Sequence, residues 1–84
     1  MPEFYVYDVI WDAGNRLHAT ARASREQIES VLKGHLTASL NKSTGTAAYI
    51  VTGRALDGST LRIVFDMIEG KARPVTAWHA KREK

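Results

Sequence analysis

Asn15, His18 and Arg22 stand at i, i+3 and i+7, a spacing that stacks them on one stripe of a helix. Arg54 and Arg62 lie four residues either side of Gly58, so the strands joined by the Asp57-Gly58 turn can set them side by side. Thr76, Trp78 and His79 add a hydroxyl, an indole and a second imidazole near the C-terminus. Such a set suits metal-independent cleavage of RNA. That reaction needs a base for the ribose 2′-hydroxyl, cations against the charge that develops on the phosphorane, and an acid for the leaving 5′-oxygen. Imidazole titrates near neutrality and can fill either proton-transfer role. The arginine fork matches phosphate geometry, and an indole can stack on an unpaired base. On this reading His18, Arg54 and Arg62 are the candidate catalytic residues, and Asn15, Arg22, Thr76, Trp78 and His79 the candidate substrate-binding residues.

Each of these residues also has an ordinary structural reading. His18 can cap or pack a helix edge, and Arg25 can pair with Glu29 at i+4 as a surface bridge. Arg54 and Arg62 can keep the solvent face of a small sheet soluble. Trp11 and Trp78 can be core or subunit-contact residues.

Composition removes many other chemistries. The chain has 84 residues, 12 Lys plus Arg against 9 Asp plus Glu, a net charge of +3 and no cysteine. Without cysteine there is neither a disulfide nor a thiolate zinc site, and a reducing compartment is expected. His18 and His35 lack the i+3 or i+4 partners of a helical metal site, and His79, with Glu83 at i+4, ends an expected strand rather than a helix, so neither a metal nor a cofactor is expected. Paired carboxylates at catalytic spacing, a glycine-rich phosphate loop and a serine elbow are also missing. The positive balance favours a polyanionic partner. No apolar run reaches the length of a membrane span, and the opening residues lack a signal-peptide pattern, so a cytoplasmic location is expected.

The elements that must position these residues follow from periodicity and turn signals. Aromatic and β-branched residues predict a strand over 4–11. Asp12 offers a cap, and Ala13, Leu17 and Ala21 form an apolar stripe, predicting a first helix over 12–22. Ser24 with Gln27 reads as a capping box, and Ile28, Val31 and Leu32 give the apolar face of a second helix over 25–33. Turn signals at Lys42-Ser43-Thr44-Gly45, Leu56-Asp57-Gly58-Ser59 and Glu69-Gly70-Lys71 divide the remainder into strands near 36–41, 46–55, 60–68 and 72–79. Leu61, Ile63, Phe65 and Met67 alternate with Arg62, Val64, Asp66 and Ile68, so one face of that strand is apolar. The expected fold is α+β: an N-terminal strand, then two helices packed on an antiparallel meander of about four strands. Residues 1–84 make one domain, with 81–84 as a charged tail. So small a core favours association, as a homodimer or with another protein.

The stretch Trp11-Asp12-Ala13-Gly14-Asn15-Arg16-Leu17-His18, followed by Ser24-Arg25-Glu26-Gln27-Ile28, resembles the BrnT-like toxins of type II toxin–antitoxin systems, relatives of the RelE superfamily of small ribonucleases. Gly53-Arg54, Asp57-Gly58, Leu61-Arg62-Ile63-Val64-Phe65 and Pro74-Val75-Thr76-Ala77 continue the likeness in order over nearly the whole chain. The resemblance implies a ribonuclease fold and cleavage of RNA, including ribosome-associated mRNA, that inhibits translation. It also implies a cognate antitoxin as protein partner, and functional roles for Asn15, His18, Arg54 and Thr76. Two positions depart from the pattern. Ala21-Arg22-Ala23 replaces a histidine-containing link, and Trp78 replaces an arginine. Those departures motivate the alternative expectation, a non-catalytic RNA- or protein-binding module on the same fold.

Overall fold

The computed structural model describes residues 3–41 and 48–80. It is a small α+β fold with two helices, a mixed five-stranded sheet and a separate two-stranded sheet. The turn expected at 42–45, the start of the strand expected at 46 and the charged tail at 81–84 lie outside the described residues.

The strand predicted over 4–11 breaks at Tyr7 into β1 (Glu3–Val6) and β2 (Asp8–Val9), which belong to different sheets. β1 pairs antiparallel with β3 (Gly34–Thr37) to form the small sheet. β2 lies parallel to the last strand, β7 (Lys71–His79), at the edge of the large one. β4 (Ser39–Leu40), β5 (Tyr49–Arg54) and β6 (Thr60–Ile68) complete that sheet in the order β2-β7-β6-β5-β4. β4 to β7 run as an antiparallel meander, but the strand expected near 36–41 is split: residues up to Thr37 belong to β3 of the small sheet and only Ser39–Leu40 enter the meander, to which the parallel β2 is added. Between β6 and β7 the hairpin turn consists of Glu69 and Gly70, both at positive φ, the geometry that matches the twist of the flanking strands.

The second helix, α2 (Arg25–Leu32), forms where its capping box predicts. Ser24 accepts from the Gln27 N–H, and the Gln27 side chain accepts from the Ser24 N–H. The same Gln27 amide donates to Asp57 and Ser59, tying the start of α2 to the β5–β6 turn. Ile28, Val31 and Leu32 enter a core with Val51, Leu61, Ile63, Phe65, Ala72 and Ala77. Phe4 and Tyr49 extend it with edge-on contacts to each other and, from Phe4, to Phe65. The expected alternation of β6 holds on this side: Leu61, Ile63 and Phe65 are buried while Arg62 is exposed.

Close packing of α2 on the sheet depends on Gly53. A Cβ there would stand 2.7 Å from the Val31 Cγ1, well inside contact distance. Gly53→Ala should therefore destabilise the fold by about 1–3 kcal/mol through overpacking, read as a lower urea midpoint.

The polar links of this layer also set a pH dependence. The Ser59 hydroxyl, then the Ser59 N–H and the Gln27 amide, hold the Asp57 carboxyl at about 2 instead of 3.8. Its folded value lies below its unfolded one, so the folded chain binds fewer protons. The contribution is full above the unfolded value and disappears as pH falls through the folded one. Urea midpoints should thus decline on acidification from about pH 4 to about pH 2, and Asp57→Asn should flatten that decline.

Candidate functional site

The segment after β2 is built around one buried amide. Asn15 is 1% exposed. Its Oδ1 accepts from the Asp12 N–H at 2.8 Å, and its Nδ2 donates to the Ile10 carbonyl at 2.9 Å and the Pro74 carbonyl at 2.7 Å. Asp12 folds the turn beneath it, accepting from the N–H groups of Gly14 and Asn15. The Asp12 carboxylate also receives Arg73 as a fork, Nε at 3.0 Å and Nη2 at 3.1 Å. Arg73 is the main cause that lowers the Asp12 carboxyl below its ordinary range, and Asp12 in turn raises Arg73. Together these contacts clamp residues 10–15 to β7.

The clamp changes what the first helix can be. Expected over 12–22, α1 runs only Arg16–Ala19, with Asn15 at its N-cap position making no side-chain cap. The Asn15 amide is already committed to three other groups, and Thr20 closes the turn by donating to the Arg16 carbonyl. The buried stripe is Asn15, Ala19 and Ala23, whereas the predicted stripe Ala13, Leu17 and Ala21 faces solvent, with Leu17 78% exposed. Satisfied hydrogen bonds let an asparagine occupy the inner side, and the two small alanines let the turn sit close to β7. Asn15, expected among the substrate-binding residues, is in this structure a buried clamp whose amide is fully engaged with the protein.

With α1 so placed, His18, Ala21, Arg22, Thr76 and Ala77 line a cleft of about 130 Å³. It lies along β7 beyond β2, which pairs only as far as Ala72. Ala80 donates its N–H to the Thr60 carbonyl at 2.9 Å, which fixes the alternation of the β6–β7 ladder. Ala77 therefore turns its own N–H and C=O away from β6, on the side where the cleft lies. Three predicted residues, His18, Arg22 and Thr76, thus converge around an imidazole, a guanidinium, a hydroxyl and a strand edge.

The other predicted residues stand elsewhere. Arg62 pairs directly with Trp78 and with Thr52 across the sheet, and its Nε donates to the Thr52 hydroxyl at 3.3 Å. With Thr37, Ser39, Ile50, Val51 and Thr52 it lines a second depression, of about 470 Å³. Arg54 pairs with Thr60, one row further, on a strand about 10 Å across the sheet from β7. Neither arginine lines the His18 cleft, so the expected trio of His18, Arg54 and Arg62 is split between an edge and a face. His79 pairs with Leu61 and lies outside the cleft lining.

Arg73 was not among the candidates, although Asp12, with which it forms the fork, opens the expected first helix. The expected Arg25–Glu29 bridge forms at 3.1 Å, and Trp11 joins it by donating its indole N–H to Glu29 at 2.7 Å. Partial burial acts to raise the Glu29 carboxyl, but Trp11, Arg25 and Lys33 together bring it below its ordinary value. Among the described residues no three His, Asp or Glu side chains are grouped to hold a metal ion. No helix of the described residues is long and apolar enough to cross a membrane.

No protein-family model, curated protein or solved structure matches this chain. The cleft therefore has to be read from its own chemistry.

Removing the clamp should loosen that cleft. Asn15→Ala strands the Ile10 and Pro74 carbonyls and the Asp12 N–H, and should lower stability by roughly 2–4 kcal/mol. Denaturant titration would measure it, and faster amide exchange at Arg16–Ala19 than at Arg25–Leu32 would locate it.

Proposed function

We propose that the protein is a metal-independent endoribonuclease of the toxin type, with a BrnT/RelE-like arrangement of its helices and sheet. The observation that carries the reading is the convergence of His18, Arg22 and Thr76 in one cleft. A volume of about 130 Å³ is room for about four waters, below the roughly 300 Å³ at which pockets begin to enclose drug-sized ligands. It suits a phosphate group and not a whole nucleoside.

In this reading Arg22 and the Thr76 hydroxyl hold the phosphate oxygens, and His18 takes the proton of the neighbouring 2′-hydroxyl. The 2′-oxygen forms a bond to phosphorus as the bond to the 5′-oxygen breaks, and the departing 5′-oxygen takes a proton from water. The products are a 2′,3′-cyclic phosphate and a 5′-hydroxyl end. Arg22 offsets the charge on the phosphorane, the stage at which it is greatest. Arg54 and Arg62, outside the cleft, are assigned to the flanking phosphates. Inhibition of translation and neutralisation by a cognate antitoxin belong to the same proposal, supported by the ordered motifs from Trp11 to Ala77.

A second reading is favoured by one feature of the cleft: it is lined by a single imidazole, with His79 outside it. A site with one proton-transfer group is also what a non-catalytic RNA-binding module would contain.

Purified protein incubated with single-stranded RNA in excess chelator distinguishes the two. The ribonuclease reading expects fragments ending in cyclic phosphate, blocked by 2′-deoxy substitution at the cut. His18→Ala should slow cleavage by about 100-fold or more, while RNA affinity changes little. RNA bound and recovered intact would establish the binding module instead.

A further inference from the structure

A cleft of this size that takes a phosphate, as proposed, leaves the bases of the same strand outside it. Thr76 stands at the cleft and also on the face of the sheet opposite the helices. Three cross-strand rows cover that face: Ile50, Val64 and Thr76; then Thr52, Arg62 and Trp78; then Arg54, Thr60 and Ala80. These three rows contain two arginines and no carboxylate, and in the next row of the same face Asp66 pairs with Arg73. Val64 is buried yet stands apart from the core cluster on the other side, so this face has a small apolar floor of its own. Trp78 is half-buried on β7, one row from Thr76. The Arg62 guanidinium is drawn toward β5 by its bond to Thr52, away from the indole.

Resting on the reading of the cleft as a phosphate site, we propose that this face is a subsite for single-stranded RNA. A base next to the held phosphate stacks on Trp78, and the following phosphates run past Arg62 toward Arg54. Charge complementarity selects the polyanion, because Arg62 and Arg54 are the charged groups of these three rows and Asp66, in the row beyond, is paired in register with Arg73. The indole selects the unpaired form, because only a base freed from a duplex can present its ring to a side chain. Trp78 is then a specificity-determining residue, separate from the groups that act on the phosphate.

The test uses a 2′-O-methyl RNA decamer, which cannot be cleaved through its 2′-oxygen, and the same decamer annealed to its complement. The chain has two tryptophans, so Trp11→Phe leaves Trp78 as the sole indole. The single strand should quench its emission and bind at least about tenfold more tightly than the duplex. In the otherwise unaltered chain, Trp78→Phe should bind within about threefold of the parent, and Trp78→Val should lose about tenfold or more. Arg62→Gln should weaken all sequences alike and reduce the salt slope by about one. Circular dichroism checks that each variant is folded, and the emission measurement needs no change at Trp78.

Equal affinity for strand and duplex overturns the proposal, as does tight binding in Trp78→Val. If that binding still depends on Arg22, only the sheet subsite falls and the cleft reading stands. Failure to bind either RNA overturns both. A micromolar self-association that Trp78→Val dissolves and RNA does not displace would make the face a contact between copies, which also overturns it.

Discussion

The position of every candidate group near β7 depends on how one buried asparagine amide is satisfied. Asn15 donates to the carbonyls of Ile10 and Pro74 and accepts from the Asp12 N–H, so it joins residues distant in sequence. An amide so buried is costly unless its donors and acceptor are all paired. The three partners leave little choice in how the chain passes β7. α1 follows directly, and with it the placement of His18 and Arg22 beside Thr76. Pro74 fits this scheme, since a proline has no N–H to offer and its carbonyl points outward to the asparagine.

A second set of links holds the opposite side. Gln27 serves at once as the reciprocal partner of the Ser24 cap and as the donor to Asp57 and Ser59. Gly53 lets Val31 approach β5, and Trp11 reaches Glu29 on α2. A chain of this size cannot rely on apolar area alone, and here several side chains each satisfy two or three partners. The helices are thereby fixed on one face of the sheet, and the other face is left to Ile50, Thr52, Arg62, Thr76 and Trp78.

What could be read from the sequence was what local rules govern. The capping box, the β5–β6 and β6–β7 turns and the alternation of β6 depend on neighbours within a few residues, and they stand as expected. The first helix was misread because apolar periodicity favoured Ala13, Leu17 and Ala21, while long-range hydrogen bonds turned Asn15 inward and Leu17 outward. The break at Tyr7 was equally invisible, since only tertiary pairing assigns β1 and β2 to different sheets. At the site, His18 on α1 and Arg22, three residues past its end, still line one cleft, although the helix expected to carry both stops at Ala19. Arg54 and Arg62 did prove close in register, but no local rule says which strand edge a helix will approach. Arg73 carried a faint signal, an arginine facing the strand end from which Asp12 departs, and it meant nothing without the parallel pairing of β2.

The separation of edge from face gives the mild basicity of the chain a specific meaning. Of its 12 positive residues, Arg73 is committed to Asp12 and Arg25 to Glu29, so neither is fully available to a ligand. Arg22 at the strand edge and Arg62 and Arg54 on the sheet form a progression from β7 to β5. A globular anion would meet one or two of these groups. An extended polyanion, with phosphates repeated along a flexible backbone, can meet them in turn. The same progression passes Trp78, and an indole there adds nothing to the recognition of an isolated phosphate. In the proposed subsite the indole beside Arg62 would meet the aromatic ring that unpaired RNA carries between successive phosphates.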